Sequence, residues 1–277
     1  MSPKTIKRLF DKFGWRLYFN HEHSKEEQIG LFDYDENCPL AGAIFYCKAE
    51  RWISFRDDGF FEFTTISHIL MDQVLPKLIS GDGKLTMHGS LVAIGEHGLG
   101  FLGSSGVGKS TLAASFCRLG HQIVTDDCFF LEFDKACVSG SRIYGSLRLF
   151  SDSINAVYPE ATQTESVSEF TSKRRIAVST TIDSLPLKAF IRLGITSDEM
   201  NLTRLEPVEA LFVLLENSFA LDAGNRSEAL RRFELAAMAS KRVPVFDLKY
   251  PREFVSLTEV HDRIIQELDI ELGGKQH

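Results

Sequence analysis

Leu99-Gly-Phe-Leu-Gly103-Ser-Ser-Gly-Val-Gly-Lys109-Ser110-Thr111 decides how this chain is read. Gly103 to Ser110 fits G-x-x-x-x-G-K-[ST] throughout, with Ser104, Ser105, Gly106, Val107 and Gly108 ahead of the lysine. Such a loop needs a strand before it and a helix after it. Leu99 to Leu102 reads as the strand, and Lys109 to Leu119 reads as the helix, stopped by Gly120 at C′. The glycines let successive N–H groups turn inward onto phosphate oxygens, and the helix N-terminus adds partial positive charge. Lys109 is placed to reach the β and γ phosphates, and the Ser110 hydroxyl to ligate magnesium. The expectation is a site for ATP and Mg2+ across Gly103 to Thr111.

The neighbouring segments alternate. Ser90-Leu-Val-Ala-Ile and Leu99 to Leu102 are predicted strands joined by the turn Gly95-Glu-His-Gly. Gln122-Ile-Val-Thr is the next strand and ends at Asp126-Asp127. A carboxylate at that place holds magnesium or its water. Successive strand residues point to opposite faces, so the two cannot share one role. At a strand end both can reach the site, one holding metal and the other taking a proton from an attacking hydroxyl. In the alternative, one of them only fixes a loop. His88 opens the strand leading to the hairpin, a position that taken alone reads as structural.

Farther from the loop, residues 1–75 read as short strands, among them Arg16-Leu-Tyr-Phe, Ala43-Ile-Phe-Tyr-Cys and Phe60-Phe-Glu-Phe-Thr-Thr, with Asp57-Asp-Gly as a turn. Residues 66–79 have helical spacing, and Gly81-Asp-Gly turns. Glu209 to Asn217, Glu228 to Lys241 and Leu257 to Leu268 are predicted helices, and Val243 to Leu248 a strand. This alternation implies an α/β fold: a P-loop domain over 80–277, preceded by a small β-rich domain over 1–79.

Composition sets limits. The 277 residues carry a net charge of -7, which gives no electrostatic reason to expect nucleic acid or an anionic membrane. No apolar run is long enough to span a bilayer. The basic start, Met1 to Arg8, leads into Asp11, Lys12 and Arg16 rather than an apolar signal core. Five cysteines without a Cys-x-x-Cys pair (Cys38, Cys47, Cys117, Cys128, Cys137) read as reduced thiols. The expectation is a cytoplasmic protein without structural zinc, free to form homo-oligomers. There is no Leu-Ser-Gly-Gly-Gln signature downstream of the loop, as transporter ATPases carry, and no Asn-Lys-x-Asp motif, as signalling GTPases carry.

Residues 85–133 resemble the catalytic domain of the HPr kinase/phosphorylase family. The stretches are Leu85-Thr-Met-His88-Gly-Ser-Leu-Val-Ala-Ile, then Gly98 to Ser110, then Arg118-Leu-Gly-His-Gln-Ile-Val-Thr-Asp126-Asp127. His88 stands fifteen residues before Gly103, and Asp126 sixteen after Ser110, as in that family. The resemblance implies an HPr kinase-like fold and a kinase that phosphorylates a serine of a small protein. Carried over, Lys109 binds the transferred phosphate, Asp127 accepts the serine proton with His88 in support, and Ser110 and Asp126 hold Mg2+. The comparable later loop, Ser141 to Leu149, has no carboxylate, and the family's phosphorylase segment is absent. Tyr144 to Phe150 and Val243 to Arg252 look more like a divergent branch that includes the lasso-peptide precursor kinases.

Other candidates lie nearby. Lys173, Arg174 and Arg175 fall in a polar stretch and read either as contacts to substrate phosphate or an acidic peptide, or as a solvated loop. Arg148 clamps phosphate or pairs with a carboxylate. Phe129, Phe130 and Phe150 read as core, and His21 and His23 as surface. The function these residues imply is ATP-dependent transfer to a serine of a peptide or small protein. The alternative is a nucleotide-binding regulatory module or ATPase without an acceptor.

Overall fold

The computed structural model describes residues 2–20, 30–31, 44–56, 59, 61–159, 164–176, 180–194 and 199–269. His21, His23, Cys38, Ala43, Asp57, Asp58 and Phe60 lie outside the described residues. The chain divides into two compact units, Met1–Leu75 with Val167–Thr171, and Pro76–Ser166 with Ser172–His277.

The first unit contains α1 (Pro3–Lys12) and four strands, β1 (Arg16–Phe19), β2 (Gly30–Leu31), β3 (Ile44–Cys47) and β4 (Trp52–Phe55), in the order β1-β4-β3-β2. The expectation of short strands throughout 1–75 fails twice. Residues 3–12 are helical because Ser2 Oγ accepts the Thr5 N–H at 3.3 Å, Pro3 starts the helix, and Ile6 and Phe10 bury one face. The strand expected at 60–65 is corrected by α2 (Phe63–Ile69), which continues as π-helix through Leu70–Val74 into α3 (Leu75–Gly81). Ile66, Ile69 and Leu70 are buried at helical spacing, and that burial outweighs the β preference of the aromatic residues at its start.

The remaining elements are β5 (Leu85–His88), β6 (Ser90–Ile94), β7 (His97–Leu102), α4 (Lys109–Arg118), β8 (Gln122–Thr125), β9 (Cys128–Phe133), β10 (Val138–Arg142), β11 (Leu147–Leu149), α5 (Ser151–Val157), β12 (Glu165–Ser168), β13 (Thr171–Ile176), β14 (Ser184–Leu193), β15 (Asn201–Arg204), α6 (Pro207–Glu216), α7 (Arg226–Arg242), β16 (Val245–Lys249) and α8 (Leu257–Glu267). Among the described residues, one mixed sheet runs β5-β9-β10-β14-β7-β6-β8, with β16 added to β14 and β15 to β16. A smaller sheet runs β11-β13-β12. The protein is thus a mixed α/β structure with several sheets. Among the described residues, no helix is long and apolar enough to cross a membrane.

Strand direction positions the site. β14 lies parallel to β7 and to β16. β8 and β7 each pair antiparallel with β6 and so run the same way. The carboxyl ends of β8, β7, β14 and β16 therefore meet one edge of the sheet. The sheet is buried on both faces: Leu99, Phe101, Ala189 and Ile191 pack with Leu112 and Phe116 of α4 and Ile264 of α8, whereas Leu102 and Phe190 pack with Val213 of α6 and Ala236 of α7.

Candidate functional site

The Gly103–Ser110 loop joins β7 to α4, with Gly103, Gly106 and Gly108 at φ of 135°, 77° and 107°. Those left-handed conformations explain the glycines at the three positions. Ser104, Ser105 and Gly106 are exposed at the loop tip, while Val107 packs against the core. The Lys109 side chain is buried and folds back over the loop. Its Nζ donates to Gly103 O at 2.7 Å and Ser104 O at 3.0 Å. Burial lowers the Lys109 pKa, and the charges of Asp127 and Asp126 work against that shift. The Thr111 hydroxyl is turned away, to Ser153 Oγ of α5 at 3.0 Å.

Ser110 and Asp126 meet directly. Asp126 Oδ1 accepts the Ser110 hydroxyl at 3.0 Å and the Ser90 hydroxyl at 2.5 Å, and Oδ2 accepts the Arg148 backbone N–H at 3.1 Å. The Asp126 carboxyl is buried, which raises its pKa to about 7, with the neighbouring Asp127 charge adding to the rise. Among the described residues, no cluster of three or more His, Cys, Asp or Glu side chains forms a metal cage. A hydroxyl beside a carboxylate at a phosphate loop instead fits magnesium, which takes few protein ligands and fills its sphere with phosphate oxygens and water.

Asp127 follows in a left-handed conformation, φ 77°, uncommon for a residue with a side chain. This bend between β8 and β9 answers the geometric objection that neighbouring strand residues point apart. The Asp127 carboxylate is held by Arg148: Nε donates to Oδ2 at 2.5 Å, and Nη2 pairs with Oδ1. Burial alone would raise the Asp127 pKa. Arg148's charge and hydrogen bonds, then Lys173 and His88, outweigh it and hold the group well below the usual carboxylate range. Of the two roles open to Arg148, the structure displays carboxylate pairing.

His88 ends β5. Its pKa is pushed down to about 4, by burial first and then by Lys109, with Asp127 opposing. The ring is therefore neutral at pH 7, and the Phe219 ring packs edge-on against it at 5.9 Å. The following glycine is required by crowding: a Cβ on Gly89 would stand 2.5 Å from Phe101 O.

Lys173, Arg174 and Arg175 belong to β13, not to a loop, and the strand divides them. Arg175 lies opposite Arg148 in the β11–β13 register and shares its face, as does Lys173 two residues away. Lys173 acts electrostatically on His88, Lys109 and Asp127. Arg174 faces the other way and donates to Thr164 Oγ1 and O. Phe150, expected in the core, is 41% exposed, with Lys173 Nζ 5.4 Å from its ring centre. Phe129 and Phe130 are buried.

Two supports escape a reading of the sequence. Asn217, at the end of α6, accepts the Gly103 N–H on Oδ1 at 2.9 Å, and its backbone O accepts the His88 N–H at 2.7 Å. Arg252 Nη2 donates to Gly106 O at 2.6 Å. An asparagine closing a helix is an ordinary capping signal, and nothing local connects it to a glycine 114 residues away.

No family model matches the chain, and no curated protein matches it. Among solved structures, the chain is similar to the Hpr(Ser) kinase/phosphatase from Coxiella burnetii at 14% identity and a TM-score of 0.34, over 66% of this chain and 97% of that one.

Proposed function

We propose that the chain is a magnesium- and ATP-dependent kinase that phosphorylates a serine hydroxyl of a peptide or small protein. The observation carrying this reading is one connected network at the end of a lysine-serine glycine loop: Ser110 to Asp126, Asp126 to Arg148, and Arg148 to Asp127. Ser110 and Asp126 would hold magnesium, which would supply neutralisation of phosphate charge. The loop N–H groups and Lys109 hold the triphosphate. The acceptor oxygen forms a bond to the γ phosphorus as the bridging oxygen leaves with ADP, and the hydroxyl proton passes to Asp127. Asp127 is ionised at neutral pH, the state a proton acceptor needs, and the neutral His88 ring adds no further positive charge to that of Arg148 and Lys173. Lys173 and Arg175 offer positive charge on the Arg148 face, suited to an acceptor with acidic neighbours.

The Asp127–Arg148 pair also favours a second reading, a nucleotide-binding module or ATPase without an acceptor. A carboxylate gripped on both oxygens and held at low pKa is a weak proton acceptor. Incubation with γ-labelled ATP, magnesium and serine peptides, a lasso-peptide precursor among them, separates the two. The kinase reading expects label on the peptide serine, dependent on magnesium. Label released only as inorganic phosphate, with every peptide unmodified, supports the second reading.

A further inference from the structure

The phosphate loop has two flanks. On one, β8 ends at the Asp126-Asp127 bend. On the other, the parallel strands β14 and β16 end beside the loop, and a cavity of about 690 Å³ opens there. Its walls include Ser104 of the loop, Arg192 of β14, Asp247 and Lys249 of β16, Glu216 of α6 and Arg252. None of His88, Asp126, Asp127, Arg148 or Lys173 lines it. The cavity is therefore separate from the carboxylate network, although both adjoin the same loop.

We propose that this cavity holds the nucleoside, base and ribose together, of the triphosphate bound by the loop. The inference rests on the triphosphate reading given above. If the transferred phosphate lies by Lys109, Ser110 and the carboxylates, the chain of phosphates must leave the loop on its other flank, and that flank is the cavity. Ligands of parallel α/β sheets bind outside the carboxyl ends of strands, which is where β7, β14 and β16 converge. The volume lies within the range of pockets that take small organic molecules.

The walls are fixed by contacts of their own. Arg192 Nε donates to Asp247 Oδ1 at 2.7 Å, and Arg252 ties the segment after β16 to the loop tip at Gly106. Asn217, next to Glu216, holds the first amide of the loop. The Glu216 and Asp247 carboxylates are acceptors of the kind that ribose hydroxyls need, and Lys249 and Arg252 add positive charge for the phosphates nearest the ribose.

Calorimetry on the full chain with magnesium, comparing ATP with inorganic triphosphate, tests this directly. Triphosphate offers the loop the same anionic groups without a nucleoside. The proposal expects ATP to bind at least about tenfold more tightly than triphosphate. Glu216 is exposed, so Glu216→Trp fills the rim of the cavity without disturbing the core. In that variant, with its melting temperature checked against the parent, ATP affinity should fall about tenfold while triphosphate affinity stays within about twofold. Equal binding of ATP and triphosphate by the parent overturns the proposal and leaves the loop assignment standing. So does a Glu216→Trp variant that binds ATP normally but needs more acceptor peptide, which would give the cavity to the acceptor. Binding of neither anion removes the triphosphate reading itself, and this one with it.

Discussion

Arg148 donates its Nε–H to Asp127 Oδ2 at 2.5 Å and also pairs its Nη2 with Oδ1, while its backbone N–H donates to Asp126 Oδ2 at 3.1 Å. One residue of β11 thus positions both carboxylates at the end of β8. Both charged side chains of the Arg148–Asp127 pair are nearly inaccessible, at 6% and 8%.

Removing one partner of such a pair strands the other as a buried charge. Arg148→Met is expected to destabilise the chain by about 3–5 kcal/mol in chemical denaturation. Arg148→Met combined with Asp127→Asn should recover most of that loss, because no uncompensated charge remains. A double variant as unstable as the single one would show that the pair is not what Arg148 contributes.

The two carboxylates should fail differently. Asp127→Asn keeps the shape but leaves the Arg148 charge unpaired and cannot take a proton, so in variant protein shown to be folded at the assay temperature single-turnover transfer should fall about 10²–10⁴-fold while Mg2+-ATP binding is nearly kept. Asp126→Asn removes the group joined to Ser110 and should raise the magnesium concentration needed as well as slow turnover. Parental transfer by Asp127→Asn would remove it as the base.

Gly89 admits no side chain. A Cβ there meets Phe101 backbone O at 2.5 Å, and a backbone atom cannot rotate aside. Gly89→Ala should lower stability by about 1–3 kcal/mol and shift the adjacent His88. An unchanged melting temperature would contradict that close approach.

Acidification should remove stability through two half-buried histidines. The His88 pKa is lowered to about 4, and that of His121 is lowered by burial and then by His261, whose Nε2 lies 2.8 Å from His121 Nε2. The unfolded chain therefore binds more protons than the folded one below the ordinary histidine pKa of about 6.5. The share of stability held by His88 and His121 is full above that value and is lost as pH drops through it toward 4, while Asp126, whose pKa burial raises, gains stability as it protonates over the same fall. Melting temperatures at graded pH should fall less toward pH 4 in His121→Gln than in the parent, each measured against its own value at neutral pH. Coincident profiles for the two proteins would contradict it.

The strands and helix around the loop were legible because their signals are local: Ser90–Ile94, Lys109–Arg118 and Gln122–Thr125 carry their own periodicity and stops. The loop was legible because G-x-x-x-x-G-K-[ST] is a pattern of residue types at fixed spacing between a strand and a helix. Segments that depend on distant partners were not. Lys173 to Arg175 look like a solvated charge run until β11 pairs with β13 and separates Arg174 from its neighbours. Phe150 looks like core, yet it shares an exposed face with Lys173. Residues 60–65 have strand composition, but burial of Ile66, Ile69 and Leu70 sets a helix from Phe63. Arg148's partner could not be read either, because a single arginine carries no mark of which carboxylate the fold brings to it.

Lys109 offers the most direct test of the proposed magnesium-triphosphate site at Gly103–Ser110. Its Nζ bridges the Gly103 and Ser104 carbonyls of its own loop, and glycine conformation rather than that bridge sets the loop's path. Calorimetric titration of Mg2+-ATP into the parent and Lys109→Ala should show one-to-one binding in the parent and a loss of at least about tenfold in the variant, with similar melting temperatures in the absence of nucleotide. Absence of binding by the parent, or equal affinity in the two proteins, would contradict a triphosphate site in this loop.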